Sequence, residues 1–389
     1  MKTLKTLAIF CLSAMLVSCA APEASDGGNT GSDDGNTINE KGVSLVVDKL
    51  FIYNNGGADE NGVATFTVYY NGEDVTNDEN TAIFQDKNLL VGNTFTSTAD
   101  PCSLRFRAAY GADYCDDEIL LNIVQTPPTH EDTFVDNNRE KTDFVRRVLI
   151  TQFTGTNCGF CPEMVNALHT VASSQVYSSK FVLAAAHLYN GTDPAYLNDA
   201  KTLHTSVGVN SFPTINADMW QNNANRNSDS VGALIRSALS RTTVKGGIAA
   251  SACHHEDKNY VTVCCHVKAK ESGNFRVGAW LLEDEIWGQQ ANNGYTAVDG
   301  VKFNYHNNCI RIANQSRQSS IDYTGLTLGY IEAGQTATKE FAFPLQTSWN
   351  TEKLHLVLFI STQEGNNWYV NNVITAPING EVDFDYITK

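Results

Sequence analysis

Cys158-Gly159-Phe160-Cys161-Pro162 sets two thiols about one helical turn apart, after an apolar run and before a segment of helical spacing. A cysteine at the first turn of a helix meets unsatisfied N–H groups and a partial positive charge, which favour the thiolate. A thiolate attacks disulfide sulfur, so the chemistry of such a pair is thiol–disulfide exchange. In this reading Cys158, the first and more exposed of the two, attacks a partner's disulfide. Cys161, further into the helix and on its more buried side, resolves the mixed disulfide. Zinc sites and structural disulfides use the same spacing. Zinc requires a second pair of ligands at ribbon or finger spacing, and none follows in this part of the chain.

Ala252-Cys253-His254-His255 and Cys264-Cys265-His266 offer ligand types that suit zinc or copper. The same segment reads as a hairpin turning at Asp257-Lys258-Asn259, in which the adjacent Cys264 and Cys265 point to opposite faces of a strand. In an exported protein disulfides are the expectation: Cys253 with one of the adjacent pair and Cys309 with the other, the choice between Cys264 and Cys265 being open. No metal and no cofactor is expected. Glu283-Asp284-Glu285 reads as a solvated turn rather than a calcium site, and no GxSxG nucleophile elbow occurs.

The elements that must position Cys158 and Cys161 alternate. Arg147 to Phe153 reads as a buried strand. After the cysteines, Val165, Leu168, Ala172 and Val176 recur at helical spacing. Phe181 to Ala186 is a second buried strand. Asp193-Pro194 predicts an N-cap and first helical position, with Tyr196, Ala200, Leu203 and Val207 continuing that helix and Gly208 closing it. A strand starts near Thr214, and Ser228 caps a helix carrying Val231, Leu234, Ile235 and Leu239. Strands alternating with helices imply a parallel α/β sheet.

With Val207-Gly208-Val209-Asn210-Ser211-Phe212-Pro213-Thr214 added, residues 142–246 resemble the thioredoxin superfamily, in which a cis-proline faces the CxxC pair. The resemblance implies a cis bond at Pro213. It also implies that the Phe212 backbone pairs with an extended substrate segment beside Cys158. Two departures stand out. Counting back six residues from Cys158, where the family has a buried Asp, gives Gln152, which cannot take a proton. The interval from Pro213 to Ser228 is short and polar, so the family's edge hairpin is expected to be cut short. His187, ending its strand at the sheet edge where active sites gather, is the candidate replacement proton acceptor.

A length of 389 residues predicts more than one domain. Lys2 and Lys5 precede an apolar run, Leu7 to Val17, too short to span a bilayer. Leu16-Val17-Ser18-Cys19 resembles the bacterial lipobox. That predicts a signal peptide over 1–18, acyl chains on Cys19, and export to an oxidising compartment. Residues 19–41, rich in Gly, Asp, Asn and Ser, read as a lipidated flexible tether. Short alternating strands fill 42–126. Around Tyr69-Tyr70-Asn71-Gly72-Glu73-Asp74-Val75-Thr76 this part resembles the immunoglobulin-like modules of Bacteroidetes surface lipoproteins. Cys102 and Cys115 flank a turn-rich loop there and are expected to bond to each other. A polar linker, 127–141, begins at Pro127-Pro128. Residues 247–389 read as a β-sandwich.

The predicted fold class is therefore multidomain: a central α/β thioredoxin-like domain between an N-terminal immunoglobulin-like β domain and a C-terminal β-sandwich. The net charge of −16 repels phosphate backbones and argues against a nucleic-acid partner. The whole layout resembles the Bacteroidetes lipoproteins of the twenty-eight-kilodalton outer-membrane protein family. That resemblance implies a cell-envelope location at the outer membrane, on its periplasmic or surface face. Two functions follow. One is a thiol–disulfide oxidoreductase acting on exported proteins that carry thiols or disulfides. The alternative is a non-enzymatic surface lipoprotein for binding or adhesion, with the CGFC pair a structural or vestigial disulfide.

Overall fold

A computed structural model describes residues 41–188, 193–197, 200–313 and 323–388. The predicted signal peptide over 1–18, the predicted lipidation site Cys19 and all but the last residue of the predicted tether 19–41 lie outside the described residues. The chain divides into two compact units, the first ending at Thr126 and the second starting at Pro127.

The first unit is all β. One sheet pairs Val43–Val47 with Val63–Tyr70, and a second runs through Phe51–Tyr53, Ile119–Val124, Cys102–Tyr110 and Thr81–Gln85. Alternation explains the core: Ala64, Phe66 and Val68 point inward, and the Phe66 ring lies 4.6 Å from that of Phe106. Asn71 and Gly72, both at positive φ, turn the hairpin that pairs Tyr70 with Glu73. The expected Cys102–Cys115 bridge is not formed. Ser103–Ala108, which reads as a strand, lies within a nine-residue strand that begins at Cys102, so the turn follows the far end of that strand. Cys115 lies beside Ala108, whose N–H donates to its Sγ at 3.1 Å. Six residues of extended strand put Cys102 and Ala108 roughly 20 Å apart, whereas a disulfide needs Cα atoms within about 7 Å.

The second unit opens on α/β alternation: β1 (Val148–Thr154), α1 (Cys161–Ala172), β2 (Phe181–His187), α2 (Ala200–Ser206), β3 (Thr214–Ala217), β4 (Gln221–Asn223) and α3 (Ser228–Arg241). Then β5 (Gly246–His255), β6 (Tyr260–Ala269), β7 (Gly273–Glu283), β8 (Cys309–Ala313), β9 (Leu326–Ile331), β10 (Thr336–Pro344), β11 (Leu354–Glu364), β12 (Asn367–Pro377) and β13 (Gly380–Val382) follow. β1 runs parallel to β2 and antiparallel to β3. The sheet does not stop at β2. Its order is β4-β3-β1-β2-β8-β7-β11-β12, so strands from both halves of this unit share one sheet. The other sheet, β10-β6-β5-β13, closes a sandwich over a core built on Val263, Cys265, Val277, Phe343 and Leu358. Residues 127–141, expected as a linker, belong to this unit, and Lys268 Nζ donates to Asp136 at 3.0 Å.

Local readings shift in register. The buried face of α1 is Met164, Ala167, Leu168 and Val171, while Val176 is exposed beyond the helix end. Asn227, not Ser228, caps α3, accepting from Ser230 N–H at 2.9 Å. The polar run Gln221–Asn223 pairs with β3, so the edge hairpin is present in short form, with strands of four and three residues.

The two bridges expected among Cys253, Cys264, Cys265 and Cys309 are also not formed. Register is the reason. Cys253 faces Thr262 and Cys264 faces Ser251 across β5–β6, so the two cysteines are only diagonal neighbours. Cys265 points into the sandwich core, and Cys309 lies on β8 of the other sheet, packed on Ala195 and Ile286.

Candidate functional site

β1 delivers the chain to the CGFC loop, and Cys161 opens α1 with Pro162 in its first turn. Cys158 and Cys161 are joined as a disulfide with Cα atoms 5.3 Å apart. Cys161 is fully buried, and Cys158, expected to be the exposed thiol, is only 6% exposed. Residues 288–298 lie against the loop that carries it. Gln290 Nε2 lies 3.2, 3.0 and 3.0 Å from the carbonyl oxygens of Gly155, Thr156 and Cys158. The Ala291 N–H donates to Thr156 O at 2.7 Å and the Asn293 N–H to Gly159 O at 3.1 Å. On α1, Asn166 donates to Thr296 O and accepts from Val298 N–H. Phe160 is the exposed side chain of the motif, edge-on to Tyr295 and under the Arg226 guanidinium.

His187 ends β2 opposite Thr154 and is buried. Its Nδ1 lies 2.9 Å from Asp193, which also accepts the Thr156 N–H at 2.8 Å and the Ala195 N–H at 2.9 Å. Burial opposes the Asp193 charge, but the bonds from His187, Thr156 and Ala195 outweigh it and hold the carboxyl below the usual range. Asp193 is thus a buried clamp on the loop before Cys158. The His306 ring stands edge-on to His187 at 4.9 Å and its Nε2 lies 3.1 Å from Gly288 O. Burial, and then the His187 charge, push its pKa down to about 4. Of the two His187 ring nitrogens, Nδ1 is committed to Asp193.

Gln152 lies on the same strand face as Val148 and Ile150, which pack on α1. It is buried, and among the described residues its Nε2 has no hydrogen-bond partner. The Phe212–Pro213 peptide is cis. Because β3 runs antiparallel to β1 with Thr214 opposite Phe153, Pro213 sits at the same sheet end as the CGFC loop. The Phe212 side chain stands edge-on to His204 at 5.7 Å. Two clefts of this unit, one lined by Lys245, Phe275 and Gln363 and one by Arg147, Phe181 and Asp385, include neither Cys158 nor Pro213. Sequence reading missed Gln290, Asp193 as a partner of His187, and His306. The one available signal was an acid six residues after a strand-end histidine.

Residues 200–382 match the family of outer membrane protein Omp28. No curated protein matches the sequence. Among solved structures, HBP35 of Porphyromonas gingivalis aligns over 64% of this chain and 81% of its own, with a TM-score of 0.50 and 15% identity, a likeness of fold. A domain of the outer membrane lipoprotein Omp28 from Porphyromonas gingivalis aligns over 36% of this chain and 91% of its own, at 17% identity and a TM-score of 0.23. Through residues 200–382 the chain is similar to the Omp28 outer membrane proteins, and its location is the cell envelope, at the outer membrane.

Proposed function

We propose that the protein is a lipid-anchored outer-membrane protein of the binding or adhesion kind, with Cys158–Cys161 serving as a structural clasp. One observation carries this reading: both cysteines are buried beneath residues 288–298, whose Gln290 lies against the carbonyl oxygens around Cys158. A redox pair that turns over must offer its first sulfur to a partner protein. The buried Gln152, unable to move a proton, lends support. Anchoring rests on Leu16-Val17-Ser18-Cys19, and Cys19→Ala should move the protein from the membrane to the soluble fraction.

The test of the clasp is its reduction potential. A structural bond is expected below about −300 mV, resistant to glutathione, whereas catalytic pairs span roughly −270 to −120 mV. A value within the catalytic range would sink the clasp.

A specific observation keeps a second reading, a thioredoxin-like thiol–disulfide exchange site. Cys161 opens α1, where the helix N-terminus favours a thiolate, and Pro213 lies at the same end of the sheet. In that case Cys158 attacks, Cys161 resolves and Phe212 presents backbone to an exported partner. Cys161→Ala then traps mixed disulfides and Cys158→Ala does not.

A further inference from the structure

The cysteines and histidines of the β5–β6 hairpin meet a carboxylate from the segment that crosses them. Alternation puts Ser251, Cys253 and His255 of β5, and Thr262, Cys264 and His266 of β6, on the face turned away from the sandwich core. Residues 130–136 lie along that face. One ligand atom each from Asp132, Cys264 and His266 falls within 4.8 Å of the other two. His266 Nε2 is 3.1 Å from Asp132 Oδ1, and the Cys264 Sγ lies within 4.8 Å of a ligand atom of each. A tetrahedral zinc ion with bonds of 2.0–2.3 Å sets its ligands roughly 3.3–3.7 Å apart, which lies within this range of separations.

The carboxylate is held from behind. Ser251 donates to Asp132 Oδ1 at 2.7 Å, so the Ser251 oxygen accepts from His130 Nε2–H at 2.8 Å. His130 Nδ1 then accepts from Thr262 Oγ1 at 2.9 Å, and that hydroxyl accepts from His255 Nε2–H at 2.9 Å. The Phe134 ring lies 4.6 Å from that of His266. Such outer partners are what fix ligands at metal centres. Glu340, opposite Cys264 on β10, adds negative charge. Cys264 and His266 are buried while Asp132 reaches solvent, so an ion has a way in and a water can complete the shell.

We propose that Asp132, Cys264 and His266 form a site for a zinc-class divalent ion, with water as the fourth ligand. Sulfur and imidazole select against calcium and magnesium. Binding releases the Cys264 proton to solvent as the metal–sulfur bond forms, and His266 carries its proton on Nδ1 so that a metal–nitrogen bond replaces the Nε2 hydrogen bond to Asp132. The site is separate from the CGFC loop, and the proposal stands whichever reading of that loop holds.

The test uses the whole chain with the Cys158–Cys161 disulfide kept oxidised, so that the CGFC sulfurs cannot bind metal. Zinc is added alone, excess is removed by gel filtration, and metal content is measured. Cobalt is then substituted and its spectrum recorded. One zinc per chain and a thiolate-to-cobalt charge-transfer band are expected. Cys264→Ser, close in size, should abolish the band. His266→Gln and Asp132→Asn, which preserve much of the hydrogen bonding, should each weaken zinc binding roughly tenfold or more. Zinc not retained, a cobalt spectrum without the thiolate band, zinc binding untouched by Cys264→Ser, or a peptide map joining Cys264 to another cysteine would each overturn the site.

Discussion

Gln290 Nε2 lies 3.0 Å from the carbonyl oxygen of Cys158, bridging residues 132 positions apart in the chain. The same nitrogen reaches Gly155 and Thr156, so one amide fastens the covering segment to the whole approach to the disulfide.

Gln290→Ala should leave these carbonyl oxygens without their shared donor, at a cost of roughly 1–3 kcal/mol. The disulfide should then be reduced faster by dithiothreitol, by about tenfold for each 1.4 kcal/mol of cover lost. Timed quenching with a maleimide measures that rate. An unchanged rate would mean that residues 288–298 do not control access.

Asp193→Ala removes one partner of a buried pair and frees the Thr156 N–H. Breaking such pairs costs about 3–5 kcal/mol. Denaturant unfolding of the second unit should show the loss, and Asp193→Asn should recover part of it because its oxygen still accepts from Thr156 and Ala195.

His306 links stability to pH. Its folded pKa, about 4, lies below the ordinary 6.5, so between these values the unfolded chain binds the extra proton. Stability from this group is therefore present above pH 6.5 and lost as pH falls toward 4. The loss is on the order of 3 kcal/mol at most. Thermal unfolding from pH 7 to 4 should show it, and His306→Gln should flatten that slope.

Peptide mapping without reduction should find Cys158–Cys161 joined and no Cys102–Cys115 peptide. Burial raises the Cys115 and Cys265 thiols, and pushes Cys264 up to about 12, so alkylation at these positions should require unfolding.

Gly278→Ala tests the continuity of the long sheet. A methyl there would come 2.1 Å from the Phe359 ring, across the β7–β11 pairing. The overpacking should cost about 1–3 kcal/mol, read as a lower denaturation midpoint.

Short-range chemistry was legible in the chain itself. Apolar runs marked β1 and β2, because a strand buried on both faces needs no polar alternation. Asn71-Gly72 announced its hairpin, since few other residues accept two successive positive φ angles. The CGFC spacing foretold thiols at a helix start, because four residues make about one turn. Cysteine pairing was not legible. An even count says only that bridges can form, while forming them needs Cα atoms brought within about 7 Å. Strand register decides that: it turned Cys265 inward, left Cys253 diagonal to Cys264, and put Cys309 in another sheet. The exposure of Cys158 and the meeting of Asp132 with Cys264 and His266 were likewise set by tertiary structure. Each depends on chain more than 120 residues away, and no local period records which distant loop will cross a given strand face.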